Sequence, residues 1–327
     1  MTTGGATGGT RAGELPRTGL AAQETRAYAV YWGRLRRKKL GMIALAVIIV
    51  IYGGGLFAAV AAPYSYTEQN LEAKWQGPSG AHWLGTDILG RDMLTRVMYS
   101  SRTNLIITAA VLLSGSIILG NTLGLVTGYV GGWFDGLVMR VGDVFVSLPG
   151  LPMLILVNAS LSPRVLELVR GFEAGVVDLG LVRSGFASYV TVFTALSLFS
   201  WVGTARLIRS QVLQLRERDY IMAAQAIGAP TRRILVRHLL PNVSHLIILQ
   251  VSTGLGAIAG SEIFLSWFGV GIQPPAPSFG QMISEAGGAR TFQEHPHLLL
   301  VPAFFVSSLM FSFTLLGDAV TDALRGR

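Results

Sequence analysis

Six stretches of this chain stay apolar for long enough to cross a bilayer. The first runs uncharged from Leu40 to Ala62, and the second from Asn104 to about Val130, between Arg102 and Asp135. The third extends from about Val138 to Leu161, with Arg140 and Asp143 at its start and Pro149 and Pro152 inside. The fourth is Gly185 to Ala205, the fifth lies between His238 and Glu262, and the sixth is Leu298 to Gly317. At 1.5 Å of rise per residue, about 20 apolar residues cross a ~30 Å hydrocarbon core as helix. The pattern therefore predicts an all-α polytopic membrane protein with six transmembrane helices and both termini on one side. The first apolar run is about twice the usual 7–15 residues of a secretory signal, so it reads as an uncleaved span.

Between the spans the pattern is polar and short, with two exceptions on the side away from the termini. Pro63 to Thr103 and Ser261 to His297 are too long to be simple turns. In the second, Ile263 to Ile272 is apolar but too short to span, and Gln273-Pro274-Pro275-Ala276-Pro277 closes it. It reads as a short interfacial helix ending in a rigid turn, with Trp267 at headgroup level. Residues 1–30 are rich in Gly, Thr and Ala and offer too little apolar area to offset ordering, so a disordered tail is expected. The chain thus divides into that tail, a first helix with a long external segment (31–101), a five-helix core (102–318) and a short C-terminus (319–327).

Composition agrees with a membrane: 51% of the 327 residues are hydrophobic and 13% charged, about half the charge of a soluble domain. Charge then sets the topology. Of the 26 Lys and Arg, 18 fall on the side of the termini and 8 on the other, so the positive-inside rule makes both termini cytoplasmic. The net charge of +8 is accounted for without nucleic acid. Cysteine is absent, so thiolate metal sites and cysteine nucleophiles are excluded. The only lysines, Lys38, Lys39 and Lys74, do not follow a glycine, so no phosphate-cradling P-loop exists, and zinc-protease, serine-hydrolase and dinucleotide motifs are missing too. The chain is expected to be no enzyme, with no catalytic residue, metal or cofactor of its own.

The cytoplasmic connection 206–241 is punctuated as a helical hairpin. Asp219 is placed to cap a first helix, Tyr220 to Ile227, which Gly228 and Pro230 end. Pro230 then opens a second, Thr231 to His238, which Pro241 is expected to keep from merging with the fifth span. Helices this short need something to pack on. Ala223, Ala224, Ala226 and Gly228 form a small-residue surface with Ile221, Met222 and Ile227 as anchors, suited to a docking partner. The alternative is packing on its own chain or on lipid headgroups, helped by Arg232, Arg233 and Arg237.

The order Ala223-Ala224-x-x-x-Gly228, then His238-Leu239-Leu240-Pro241-Asn242, resembles the cytoplasmic signature of ABC importer permease subunits, in the form found in their dipeptide, oligopeptide and nickel branch. Three further stretches resemble the C-type permease of that branch. They are Leu84-Gly85-Thr86-Asp87 with Gly90-Arg91-Asp92, Gly131-Gly132-x-x-Asp135 with Met139-Arg140-x-x-Asp143, and Leu265 to Phe279 with its proline-rich turn. The resemblance covers about residue 32 to the C-terminus. It implies a type I ABC importer transmembrane domain in a bacterial inner membrane, paired with a second homologous permease as a heterodimer. It also implies two ATP-binding cassette subunits that use ATP and magnesium, an external substrate-binding protein, and alternating access for peptides or a nickel chelate. Coupling to the ATPase would fall on Ala223, Ala224, Gly228, Arg232, Arg233, His238 and Pro241. Met222 stands where the family usually has Glu, so a contact of that carboxylate does not carry over.

Other residues keep two readings. Gly120, Gly124, Gly128 and Gly132 recur every four positions and permit close helix contact, within the chain or with a second permease. Arg140 and Asp143, three apart at a membrane boundary, form a gate or a structural ion pair. His295 and His297 lack a third ligand and read as loop residues, and Glu262 reads as interfacial. A secondary transporter driven by an ion gradient is the rival from another class, but apart from His245 the span interiors carry no ionisable group. A purely structural membrane scaffold is a third reading.

Overall fold

The computed structural model describes residues 32–175 and 179–325, apart from the side chains of residues 324 and 325. The expected tail at 1–30 lies outside the described residues. The principal helices among the described residues are α1 (Lys39–Leu56), α2 (Met93–Val130), α3 (Gly132–Ser147), α4 (Gly150–Gly175), α5 (Phe186–Leu215), α6 (Asp219–Ala226), α7 (Thr231–Trp267), α8 (Phe279–Glu285), α9 (Ala289–Glu294) and α10 (His297–Arg325). Six of them, α1, α2, α4, α5, α7 and α10, are long and apolar enough to cross a membrane. No strand occurs among the described residues.

One hydrophobic core forms where α2, α5 and α7 meet, and another where α1, α8 and α10 pack on α2 and α7. In the first, Ile107, Val111 and Leu112 of α2 pack with Val192, Ala195 and Leu196 of α5 and Ile258 and Leu265 of α7. The approach of α2 to α5 is made by glycines: a Cβ on Gly120 would lie 2.8 Å from Thr204, and one on Gly124 2.8 Å from the Ala205 carbonyl. On Gly128 it would lie 2.7 Å from Val212, and Gly115 faces Ser197 and Ser200 in the same way. α2 widens into π-helix over Leu112–Gly120, whose i→i+5 turn brings Gly115 onto the face of Gly120. Three of the four spaced glycines thus pack inside the chain. Gly132 does not: it has φ +66, heads α3, and has no atom within 4 Å of a Cβ position.

Three expected boundaries are corrected. The third apolar run is two helices, because Pro149 breaks the chain after Ser147: α3 lies before it and the span itself is α4. α4 continues through Pro163 to Gly175. Pro241 does not separate the hairpin from the fifth span. α7 runs unbroken from Thr231, and π-helical turns over Ile234–Leu239 precede the proline, loosening the ladder where its ring and missing N–H disrupt it. The apolar stretch from Ile263 is the end of α7, which stops at Phe268 and Gly269 (φ +74); it forms no separate interfacial helix. Residues 319–325 continue α10 as helix.

α1 is fastened to the rest at both ends. Gly41 packs against Ala319 of α10, Gly55 lies against the backbone of Ser101 and Arg102, and Lys38 Nζ sits 2.9 Å from Asp322 Oδ2.

Candidate functional site

The hairpin starts at α6. Arg218, extended at φ −79 and ψ 143, precedes it without a side-chain cap, so Asp219 occupies the first helical turn instead of the capping position expected for it. A carboxylate there still favours the helix through its dipole. At the other end Gly228 takes φ +74. Its N–H donates to the Gln225 carbonyl at 2.9 Å, and the Ala229 N–H donates to that of Ala224 at 3.0 Å, the paired closure that a left-handed residue makes possible.

The two faces of α6 have different fates. Ile221 and Ala224 are buried with Leu125 of α2, Ile208 and Val212 of α5, and Ile234, Leu239 and Val243 of α7. Full burial of Ile221 contributes roughly 1.5–3 kcal/mol. Gln225 Nε2 adds a 3.1 Å hydrogen bond to the Tyr129 hydroxyl at the end of α2. Tyr220, Met222, Ala223, Ala226, Ile227 and Gly228 remain exposed, Ile227 at 85% and Met222 at 49%. Of the residues expected at a docking surface, Ala223, Gly228, Arg232, Arg233 and Pro241 are exposed, His238 is half-buried, and Ala224 faces inward. The anchors divide as well: Met222 and Ile227 point out, Ile221 in.

Next to the hairpin, α3 is tied to α5 by charge. Asp143 accepts from Arg206 Nη2 at 2.6 Å, and both oxygens of Asp135 accept from Arg209. The pairing expected between Arg140 and Asp143 is therefore corrected: α3 lays Asp143 against α5, where Arg206 is the nearer guanidinium. The neighbouring Gly142 packs on Val202.

The opposite face holds a cluster that the sequence reading did not assign. Asp87 Oδ2 accepts from Arg91 Nε and Arg96 Nη1, both at 2.6 Å. Glu285 Oε2 accepts from the same two arginines at 2.8 and 2.7 Å, and Gln281 donates to its other oxygen. Arg96 is 2% exposed. This pins the segment before α2 to α8. Beside it His82 Nδ1 lies 3.0 Å from Asp92 Oδ1, while Asp92 Oδ2 caps α2 through the Thr95 N–H. The signal was present in Leu84-Gly85-Thr86-Asp87 and Gly90-Arg91-Asp92, but their partner Glu285 lies far along the chain.

Two further residues depart from expectation. Glu262 is fully buried, not interfacial: Asn104 Nδ2 donates to it at 2.6 Å and Ser266 Oγ at 2.9 Å, while the Tyr52 hydroxyl bonds Asn104 Oδ1 at 2.8 Å. One polar knot therefore joins α1, α2 and α7. His245 is exposed. His297 Nε2 lies 3.2 Å from the Thr86 carbonyl, and His295 stacks on Trp75 at 5.4 Å. No group of three or more His, Cys, Asp or Glu fit to hold a metal occurs among the described residues.

A short helical hairpin on six spanning helices is a recognisable frame, and comparison with known proteins gives it a family. Residues 120–327 match the model for the binding-protein-dependent transport system inner membrane component. The chain belongs to that family. Residues 28–78 of this permease match the N-terminal transmembrane domain of oligopeptide transport permease C, the segment that carries α1. The permease is 35% identical to the dipeptide transport system permease protein DppC of Bacillus subtilis over 90% of this chain and 83% of that protein. It is 33% identical to the oligopeptide transport system permease protein OppC of the same organism, over 89% and 87%. A glutathione transport system permease protein, GsiD of Escherichia coli, is 34% identical over 90% and 88%. The fold expected from the resemblance, a type I importer transmembrane domain with six spans, is the one found.

Proposed function

We propose that this permease is one of two homologous transmembrane subunits of an ATP-driven importer of short peptides, with the hairpin face in the cytoplasm. The single observation that carries the reading is the hairpin itself. α6 is locked by its inner face to the ends of α2, α5 and α7, yet turns an apolar edge of Met222, Ala223, Ala226 and Ile227 outward. A rigid lever with an uncovered contact face suits a partner whose motion must reach the spans.

In this account two ATP-binding cassette subunits supply the hydrolysis, with ATP and magnesium held in them and none in this chain. Their closure moves α6 and, through it, α5 and α7 as a body. Because α7 runs as one helix from Thr231 to Trp267, with π-helical turns over Ile234–Leu239, a displacement at Thr231 is passed along the helix into the span. An external binding protein delivers substrate to the opposite face. Peptides are the substrate class that relatives named for dipeptides, oligopeptides and glutathione have in common. The distribution of Lys and Arg, 18 against 8, supports the cytoplasmic placement of hairpin and termini.

The test is extraction of the tagged chain in mild detergent, followed by uptake in vesicles. A homologous permease and a Walker-motif ATPase are expected to co-purify, and dipeptide uptake is expected to stop on ATP depletion. Uptake that survives ATP depletion but is lost with an uncoupler contradicts the proposal in favour of gradient-driven transport.

A further inference from the structure

A polar cavity of about 300 Å³ opens on the face opposite the hairpin, where four parts of the chain converge. The segment after α1 supplies Tyr66, α2 supplies Tyr99, Arg102, Thr103 and Ile106, the turn before α5 supplies Ser184 and α5 itself Tyr189, and the loop before α8 supplies Ala276 and Pro277. The walls are held in place. Tyr189 and Thr103 share a hydroxyl–hydroxyl hydrogen bond of 2.7 Å, and the Tyr66 and Tyr99 rings lie 4.6 Å apart.

Among the described residues Arg102 is the one charged group in the lining, and no carboxylate is found there. The contrast with its neighbours is informative. Arg91 and Arg96 each bind both Asp87 and Glu285, whereas Arg102 is exposed and has no ion pair among the described residues. An unpaired guanidinium at a cavity ringed by hydroxyls and aromatic faces is suited to a carboxylate, which it can hold with two parallel N–H bonds. The size is at the low end for a small-molecule site, enough for the end of a peptide.

We propose that this cavity receives the free C-terminal carboxylate of a peptide entering the permease, with Arg102 as its ligand and Tyr66, Tyr99 and Tyr189 enclosing the terminal residue. The inference rests on the peptide-importer reading and on that face being external. The positive lining selects the carboxylate end of a zwitterionic peptide over its ammonium end. Tyr and Ser hydroxyls offer partners to the last peptide group.

The test exploits the absence of cysteine from the chain. In the assembled transporter with its binding protein, Ser184→Cys places a single thiol on this chain at the cavity, and Ile106→Cys serves if that variant does not assemble. A membrane-impermeant methanethiosulfonate is applied alone, with dialanine, or with dialanine amide. Dialanine is expected to slow labelling and the amide to leave it unchanged. Adding Arg102→Gln should weaken the protection by about tenfold or more in dialanine concentration, the scale of one charge-assisted pair, and Arg102→Lys should retain part of it. Equal protection by peptide and amide, protection that survives Arg102→Gln, or a thiol unreactive before peptide is added would each overturn the proposal. Labelled dialanine uptake separates the two failures. Wild-type uptake without protection sinks this inference alone, whereas no ATP-dependent uptake of peptide sinks the substrate reading and the inference with it.

Discussion

Asp87, Arg91, Arg96 and Glu285 bury two arginines and two carboxylates against each other on one face of the molecule. On the other face, α6 leaves Tyr220, Met222 and Ile227 in the open. Both regions lie at the ends of the same long helices, but the charges of the first are paired within the chain, whereas the apolar edge of the second is left uncovered by it. A buried ion cluster costs desolvation and returns it only if every partner is present, so it holds the loops around α8 in one arrangement. An exposed apolar edge on a helix too short to stand alone is stable only because its other face is anchored, and in the proposed transporter it is the area open to a second protein. The difference separates what fixes this permease from what connects it.

Substitutions on the two faces should therefore fail in different ways. The largest effect is expected from Arg96→Met, which strands Asp87 and Glu285 without one of their two guanidinium partners and should cost about 3–5 kcal/mol. The check is the thermal midpoint and monodispersity of the detergent-purified complex, both of which should fall. Gly124→Leu comes next, since its side chain meets the Ala205 carbonyl and Ile208 within 3 Å. Overpacking of that kind costs about 1–3 kcal/mol, and it should lower the folded yield without a selective loss of ATPase. Ile227→Asp is the reverse case. The residue is 85% exposed, so the midpoint should stay put while ATPase recovery in a pull-down drops about tenfold, as for loss of an apolar anchor. Equal losses of midpoint and ATPase recovery in Ile227→Asp would erase the contrast between the two regions.

Smaller effects sharpen it. Gly228→Ala has open space around its Cβ but retains φ +74, so roughly 1 kcal/mol of backbone strain should loosen the hairpin, measurable as faster amide exchange across α6. Asp143→Asn removes an exposed pair with Arg206 and should change stability by about 1 kcal/mol or less; a larger drop in midpoint would show that α3 bears more than its geometry suggests.

The number of spans could be read from the sequence because it depends on long runs, which local errors do not disturb. The hairpin was legible for a similar reason: Gly228 and Pro230 act on their own neighbours. What failed were features decided by distant partners or by compensation within a helix. Pro241 looks like a stop, yet the π-helical turns before it let α7 continue. Asp143 has Arg140 nearby in sequence, but the packing of α3 on α5 gives it Arg206. Glu262 sits at the end of an apolar run and reads as interfacial, whereas Asn104, 158 positions away, brings it inside. The glycine stripe was visible, but only the shape of α2 shows that Gly115 joins it and Gly132 leaves it.

The central claim is that the apolar edge of α6 is covered by an ATPase in the working transporter. The direct measurement places a short photoactivatable crosslinker on Ile227→Cys in this cysteine-free chain, in native membranes, with Arg290→Cys on the opposite face as control. The account predicts an Ile227→Cys adduct containing an ATP-binding cassette subunit and none from the control. Adducts from Ile227→Cys confined to lipid or to the permease's own helices would contradict it.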